Sequence, residues 1–95
     1  DPCNGISEKK GWIMQDNAFS SKANADARAN ALKAQGIAAT ATARSCIESG
    51  GKGYIVWLGA IRTSEEDARK TASKHKKTLQ RLGLRKGKLL LRQLK

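Results

Sequence analysis

The chain has 95 residues, 39% of them hydrophobic and only 4% aromatic. That length suits one small domain with a modest core, and no apolar run approaches the ~18 residues that a membrane-spanning helix needs. The net charge is +11 and lopsided, +1 over residues 1–50 and +10 over residues 51–95; unless it is only a solvated face, the second half is drawn to nucleic acid, anionic lipid or carboxylate-bearing wall glycan.

Residues 1–10 are polar, contain Pro2 and Gly5, and read as a leader with no structure of its own. The domain then occupies residues 11–95. Cys3 in that leader and Cys46 form an even pair in a small chain, which predicts one disulfide and an oxidising compartment, secreted or periplasmic. Two unrelated thiols in a cytosolic protein are the alternative. The start at Asp1 fits a mature secreted protein or a cut chain.

Residues 12–16 (WIMQD) read as a strand. Ser20 and Ser21 are good helix caps. From Ala23 to Gln35 alanine alternates with polar residues, a strand period, yet alanine is the best helix former and a poor strand former. The segment therefore reads as a helix, with Ala25, Ala29 and Leu32 buried and Gly36 ending it. Residues 37–47 read as a strand, and Ser49 to Gly53 as a turn. Residues 54–59 (YIVWLG) are the most strand-like stretch. Thr63 and Glu66 suggest a capping box opening a second helix, with an apolar stripe of Ala68, Ala72, His75, Leu79 and Leu82. Residues 88–94 (KLLLRQL) read as a last strand.

The order β-α-β-β-α-β also repeats. Trp12-Ile13-Met14 aligns with Tyr54-Ile55-Val56 at an offset of 42. Two such halves pack as an α+β split βαβ: a four-stranded antiparallel sheet, both helices on one face, the first and third strands central. The other face is expected to be open to solvent or ligand.

Two stretches carry a family likeness. WIMQDNAFSSKANADARANALKAQG (12–36) and YIVWLGAIRTSEEDA (54–68) resemble the two halves of the SPOR domain family. In the first, an apolar strand with Gln15 leads through Ala18-Phe19-Ser20 into an alanine-rich helix ending in Leu32-x-x-x-Gly36; in the second, a strand leads through Leu58-Gly59 and a small-apolar pair to Ser64-Glu65-Glu66-x-Ala68. Asp16 and Asn17 stand where that family favours an apolar residue and glycine, and Ala60-Ile61 where it favours Pro-Phe. The resemblance implies a ferredoxin-like fold. It also implies non-catalytic binding of peptidoglycan, especially glycan strands stripped of stem peptides, on the open sheet face.

Strand period then selects residues. With Met14 and Val56 toward the helices, Ile13, Gln15, Ile55 and Trp57 face the other way. Gln15 matches the family's strand-one glutamine, and Trp57 is its repeat mate. Sugar rings pack on indole while an amide bonds to hydroxyl and acetamido groups. The competing place for Trp57 is beneath the leader or in a dimer. Thr40, Thr42, Arg44 and Arg92 are expected to flank the pair, with Ser20 and Arg62 at strand ends nearby. An arginine there suits a muramic carboxylate. His75 reads as a core-edge histidine. Lys70, Lys74, Lys77 and Arg81 form a basic stripe, a solvated face or a contact for anionic polymer or lipid. No metal, cofactor or catalytic pair is expected.

Two other readings remain. An RNA-recognition motif shares the element order, and Lys52-Gly53-Tyr54 opens like its third-strand signature, but it requires Tyr54 and Val56 outward. A secreted cationic toxin acting on anionic surfaces uses the charge and ignores the repeat.

Overall fold

Hydrophobic alternation turns into a sheet with two unequal apolar faces. A computed structural model describes residues 2–7 and 9–95; Asp1 and Glu8 of the expected leader lie outside the described residues. The elements are β1 (Gly11–Phe19), α1 (Lys22–Ala34), β2 (Ala39–Ala43), β3 (Tyr54–Arg62), α2 (Glu65–Arg81) and β4 (Leu90–Leu94), with a short 3-10 turn at Arg44–Cys46 between β2 and β3. The sheet order is β2-β3-β1-β4, antiparallel throughout. The α+β arrangement with β1 and β3 central is the one that the repeat predicts.

Both helices cover one face. Ala25, Ala29 and Leu32 of α1 and Ala72 and Leu79 of α2 pack on Met14, Val56 and Leu58. The small alanines let α1 lie close to the strands, so little of the core needs large side chains. Leu32, Leu58 and Leu79 are fully buried, each stabilising by about 1.5–3 kcal/mol relative to exposure. Ser21 caps α1 by accepting from the Asn24 N–H at 3.1 Å. Gly36 follows with φ +80°, a left-handed conformation that side chains other than glycine rarely adopt.

Several boundaries differ from the sequence reading. The cap of α2 is Ser64, which accepts from the Asp67 N–H at 3.1 Å, one residue beyond the expected Thr63 and Glu66. Three acidic residues, Glu65, Glu66 and Asp67, share that first turn, so either register satisfies the helix dipole. Leu82, expected on the buried stripe, is the C-cap of α2 and is 42% exposed. The second strand stops at Ala43 rather than continuing to 47, where the Ala43 N–H donates to the Pro2 carbonyl and the chain turns.

The largest departure is the leader. Residues 2–7 are packed rather than loose. The Ile6 N–H donates to the Cys3 carbonyl, Thr42 Oγ1 donates to the Asn4 carbonyl at 2.7 Å, and Cys3 is bonded to Cys46 with a Cα–Cα distance of 5.5 Å. The sheet face away from the helices is consequently covered over much of its area. Ile13, Ile55, Trp57 and Leu94 pack there against Ile47, with Ile6 and Ile61 at the margin.

Candidate functional site

The register places Gln15 directly across from Trp57 on the two central strands. Both lie on the face away from the helices, since Met14 and Val56 pack with the helical core. The expected openness is not present. Trp57 is 3% exposed and Gln15 only 8%, with its amide reaching the surface beside Arg92, and Ile13 and Ile55 are fully buried. The indole lies beneath the leader: a side chain at Gly5 would meet its Cζ2 at 2.8 Å, and φ is +80° there. Only glycine passes over the ring in that conformation. Trp57 Nε1 donates to Thr42 Oγ1 at 2.9 Å, so its one polar atom is satisfied inside the protein. Thr42 is buried with it, and the Thr40 methyl lies on the same side near Gly5.

At the margin of the cover a polar strip begins. Arg92 of β4 donates from Nη1 to Gln15 Oε1 at 3.3 Å and from Nη2 to Glu48 Oε2 at 2.9 Å. Arg44 Nε donates to Glu48 Oε1. The hydrogen bond from Arg44, with the charges of Arg44 and Arg92, holds the Glu48 carboxyl below its usual range against the opposing effect of burial. Beside this network Leu90, paired in register with Gln15, is 53% exposed. An amide, two guanidiniums, a carboxylate and an exposed apolar side chain thus meet along one border.

Of the expected site residues, the fold gathers Gln15, Arg44 and Arg92 at this border and puts Trp57, Ile13, Ile55 and Thr42 beneath it. Thr40 is half-buried in register with Trp57, and the fold separates Ser20 from Arg62. Ser20 follows the end of β1 where Phe19 pairs with Tyr54, whereas Arg62 pairs with Trp12 at the opposite end. Arg62 is engaged with Asp67, Nε to Oδ2, at 2.7 Å. That hydrogen bond is the main reason the Asp67 carboxyl lies below its ordinary range. Glu48 and Leu90 escaped the sequence reading. Nothing in a segment read as a strand pointed to Glu48; its approach to Arg44 depends on the 3-10 turn at Arg44–Cys46. The outward position of Leu90 depended on the register of β4.

Three further expectations meet the geometry. Asp16, a departure from the family pattern, is buried on the helix side. It accepts from Arg28 Nε at 2.8 Å and Arg28 Nη2 at 3.0 Å, and Arg85 Nη1 lies 3.7 Å from Oδ1. His75 is half-buried beside Gly59; burial first, then the Arg62 charge, pushes its imidazole below the usual histidine range. Val56 and Tyr54 pack on the helical side, which removes the outward register that the RNA reading requires. Among the described residues no group of three or more His, Cys, Asp or Glu is placed to hold a metal ion.

The SPOR domain family matches residues 8–76. This chain belongs to the SPOR domain family. The match takes in β1 through most of α2 and stops before β4, so Leu90 and Arg92 of this SPOR domain lie in the segment beyond it. SPOR domains are peptidoglycan-binding modules of the cell envelope, a binding family rather than a catalytic one. No curated protein and no solved structure gives a significant match. Among the described residues, no helix is long and apolar enough to cross a membrane.

Proposed function

We propose that this SPOR domain binds peptidoglycan glycan strands, without catalysis, along the border where Gln15, Arg92, Arg44 and Leu90 meet on the sheet face away from the helices. The observation that carries the reading is the Arg92–Gln15 contact beside an exposed leucine. Sugar hydroxyl and acetamido groups match the amide, a muramic carboxylate matches the guanidinium, and the apolar face of a ring matches Leu90. Trp57, Ile13, Ile55, Thr40 and Thr42 act in this reading as the floor that fixes the border. The Cys3–Cys46 bond supports a secreted or periplasmic setting.

The basic stripe has a separate part in the reading. Lys70, Lys74, Lys77 and Arg81 are exposed on α2, and they add long-range attraction toward an anionic wall polymer or lipid surface, screened beyond about 8 Å at physiological salt.

The test is co-sedimentation of the disulfide-intact chain with purified sacculi, before and after amidase removal of the stem peptides. Binding that rises on removal of the peptides is expected. A chain that stays in the supernatant with both preparations overturns the reading.

A further inference from the structure

On the helix side of the sheet, between α2 and β4, lies a groove of about 280 Å³. Its floor is apolar: Ala72, Leu89 and Leu91. Its rim is cationic and polar. Arg69, Ser73 and Lys76 stand along one face of α2, and Lys88 faces them from the segment just before β4. Arg69 is shared with Glu65 in an exposed pair, whereas neither Lys76 nor Lys88 takes part in an ion pair among the described residues.

The groove runs beside a free strand edge. In the order β2-β3-β1-β4, β4 has a neighbour on one side only, so part of its backbone N–H and C=O row points away from the sheet. Natural edges are blunted by proline, bulges or inward charges. Here the run Leu89-Leu90-Leu91 contains none of these, and Leu90 stands exposed on the opposite sheet face.

We propose that this edge accepts an extended acidic peptide segment as a fifth strand. The added strand completes the backbone row of β4. Side chains alternate across it, so its acidic residues meet Lys76, Lys88 and Arg69, their methylene stems covering Leu91 and Ala72. Its alternate apolar residues lie beside Leu90. Charge selects this occupant over a second copy of the chain: from Arg69 to Lys95 there are eleven basic residues and no acidic one, and a β4–β4 pairing sets like charges against each other. Anionic lipid satisfies the cations but leaves the strand edge unused. The cationic groove is on the other face from the proposed glycan border; Leu90 alone touches both, and the peptide assay reads this site without the wall.

The experiment uses the full disulfide-intact chain and a fluorescein-labelled decapeptide alternating Glu with Val, read by anisotropy at about 0.15 M salt. Saturable binding is expected, with slowed amide exchange across Leu90–Leu94. Replacing the central Val by proline removes a ladder donor and should weaken binding about tenfold or more. The double variant K76E/K88E, shown folded by circular dichroism, should weaken it by a similar factor, while K74E/K77E, with the same charge change outside the groove, stays within about twofold. Three results overturn the proposal: equal binding of the proline peptide, equal losses in the two charge variants, or no peptide binding while phosphatidylglycerol vesicles bind through Lys76 and Lys88. A concentration-dependent dimer blocked by changes in β4 assigns the edge to a second copy and overturns it as well.

Discussion

Trp57 Nε1 donates to Thr42 Oγ1, and the same oxygen donates onward to the Asn4 carbonyl. One hydroxyl therefore ties the indole of β3 to the leader through β2. The consequence is that Trp57 is a core residue. Trp57→Ala should destabilise by about 3–5 kcal/mol, the usual range for a buried large aromatic. Thr42→Val, which leaves both an indole N–H and a carbonyl without their partner, should cost about 1–3 kcal/mol. Urea unfolding of both variants checks this; a Trp57→Ala midpoint equal to wild type returns the residue to the surface role that an open face implies.

Reduction should uncover the same ring. The Cys3–Cys46 bond closes a loop with a sequence separation of 43, and its loss should remove about 4 kcal/mol by the loop-closure relation. With the leader released, the indole gains solvent. In a Trp12→Phe background, emission should move to longer wavelength on adding reductant, and the thermal midpoint should fall. Unchanged emission beside a lowered midpoint means that the leader stays docked without its bond.

Much of this fold was legible because its signals agree with one another. The Ala25, Ala29, Leu32 stripe, the Ser21 cap and the Gly36 stop all indicate one helix, and the 42-residue repeat fixes which strands are central. The facing of Gln15 and Trp57 followed from strand period alone. Their exposure did not. Burial on that face comes from Pro2, Asn4, Gly5 and Ile6, a polar segment without periodicity whose place depends on one disulfide and two long-range hydrogen bonds. Asp16 was similarly opaque, since its partners Arg28 and Arg85 are 12 and 69 positions away.

Asp16 supplies the next prediction. Its side chain is fully buried between Arg28 and Arg85, and Arg28 Nη2 also donates to the Leu84 carbonyl at 2.9 Å. The cluster fastens α1 and the segment before β4 to the end of β1. Asp16→Ala leaves two guanidiniums partly buried without their counter-charge and should cost about 3–5 kcal/mol. The pair Asp16→Leu with Arg28→Met should recover part of that loss, because both charges leave together. A double variant less stable than Asp16→Ala contradicts this account.

His75 makes stability depend on pH. Its imidazole is held below the usual histidine range, chiefly by burial and secondarily by Arg62. The unfolded chain, with an ordinary value of about 6.5, therefore binds the proton more readily than the folded one. The contribution is fully present above about pH 6.5 and is lost as the pH falls through that value toward the lower folded value. His75→Gln should flatten the stability profile in this window and leave the acid limb below it, where Glu48 and Asp67 titrate, unchanged. Identical slopes for the wild type and His75→Gln between about pH 5 and 7 refute the assignment.

The last prediction separates the glycan border from the charge around it. Arg92→Ala removes the guanidinium that joins Gln15 to Glu48, and Gln15→Ala removes the amide. Neither residue lies in the helical core, and each change should weaken binding to peptide-stripped sacculi by about 1–2 kcal/mol, the net worth of a hydrogen bond that involves a charged or amide partner. Val56→Ala is the counterpart. It should lower stability by about 1–3 kcal/mol and leave sacculus binding intact below its melting temperature, because Val56 points into the helices. Raising the salt divides the contributions further. Attraction from Lys70, Lys74, Lys77 and Arg81 fades as screening shortens from about 8 Å to 3 Å at 1 M, whereas close contacts at Gln15 and Leu90 persist. Wild-type binding should therefore fall at 1 M salt to a measurable remainder that Gln15→Ala lowers further by about 1–2 kcal/mol. Complete loss of wild-type binding at that salt, with Gln15→Ala equal to wild type at low salt, shows that the cations alone hold the wall and removes the border from the mechanism.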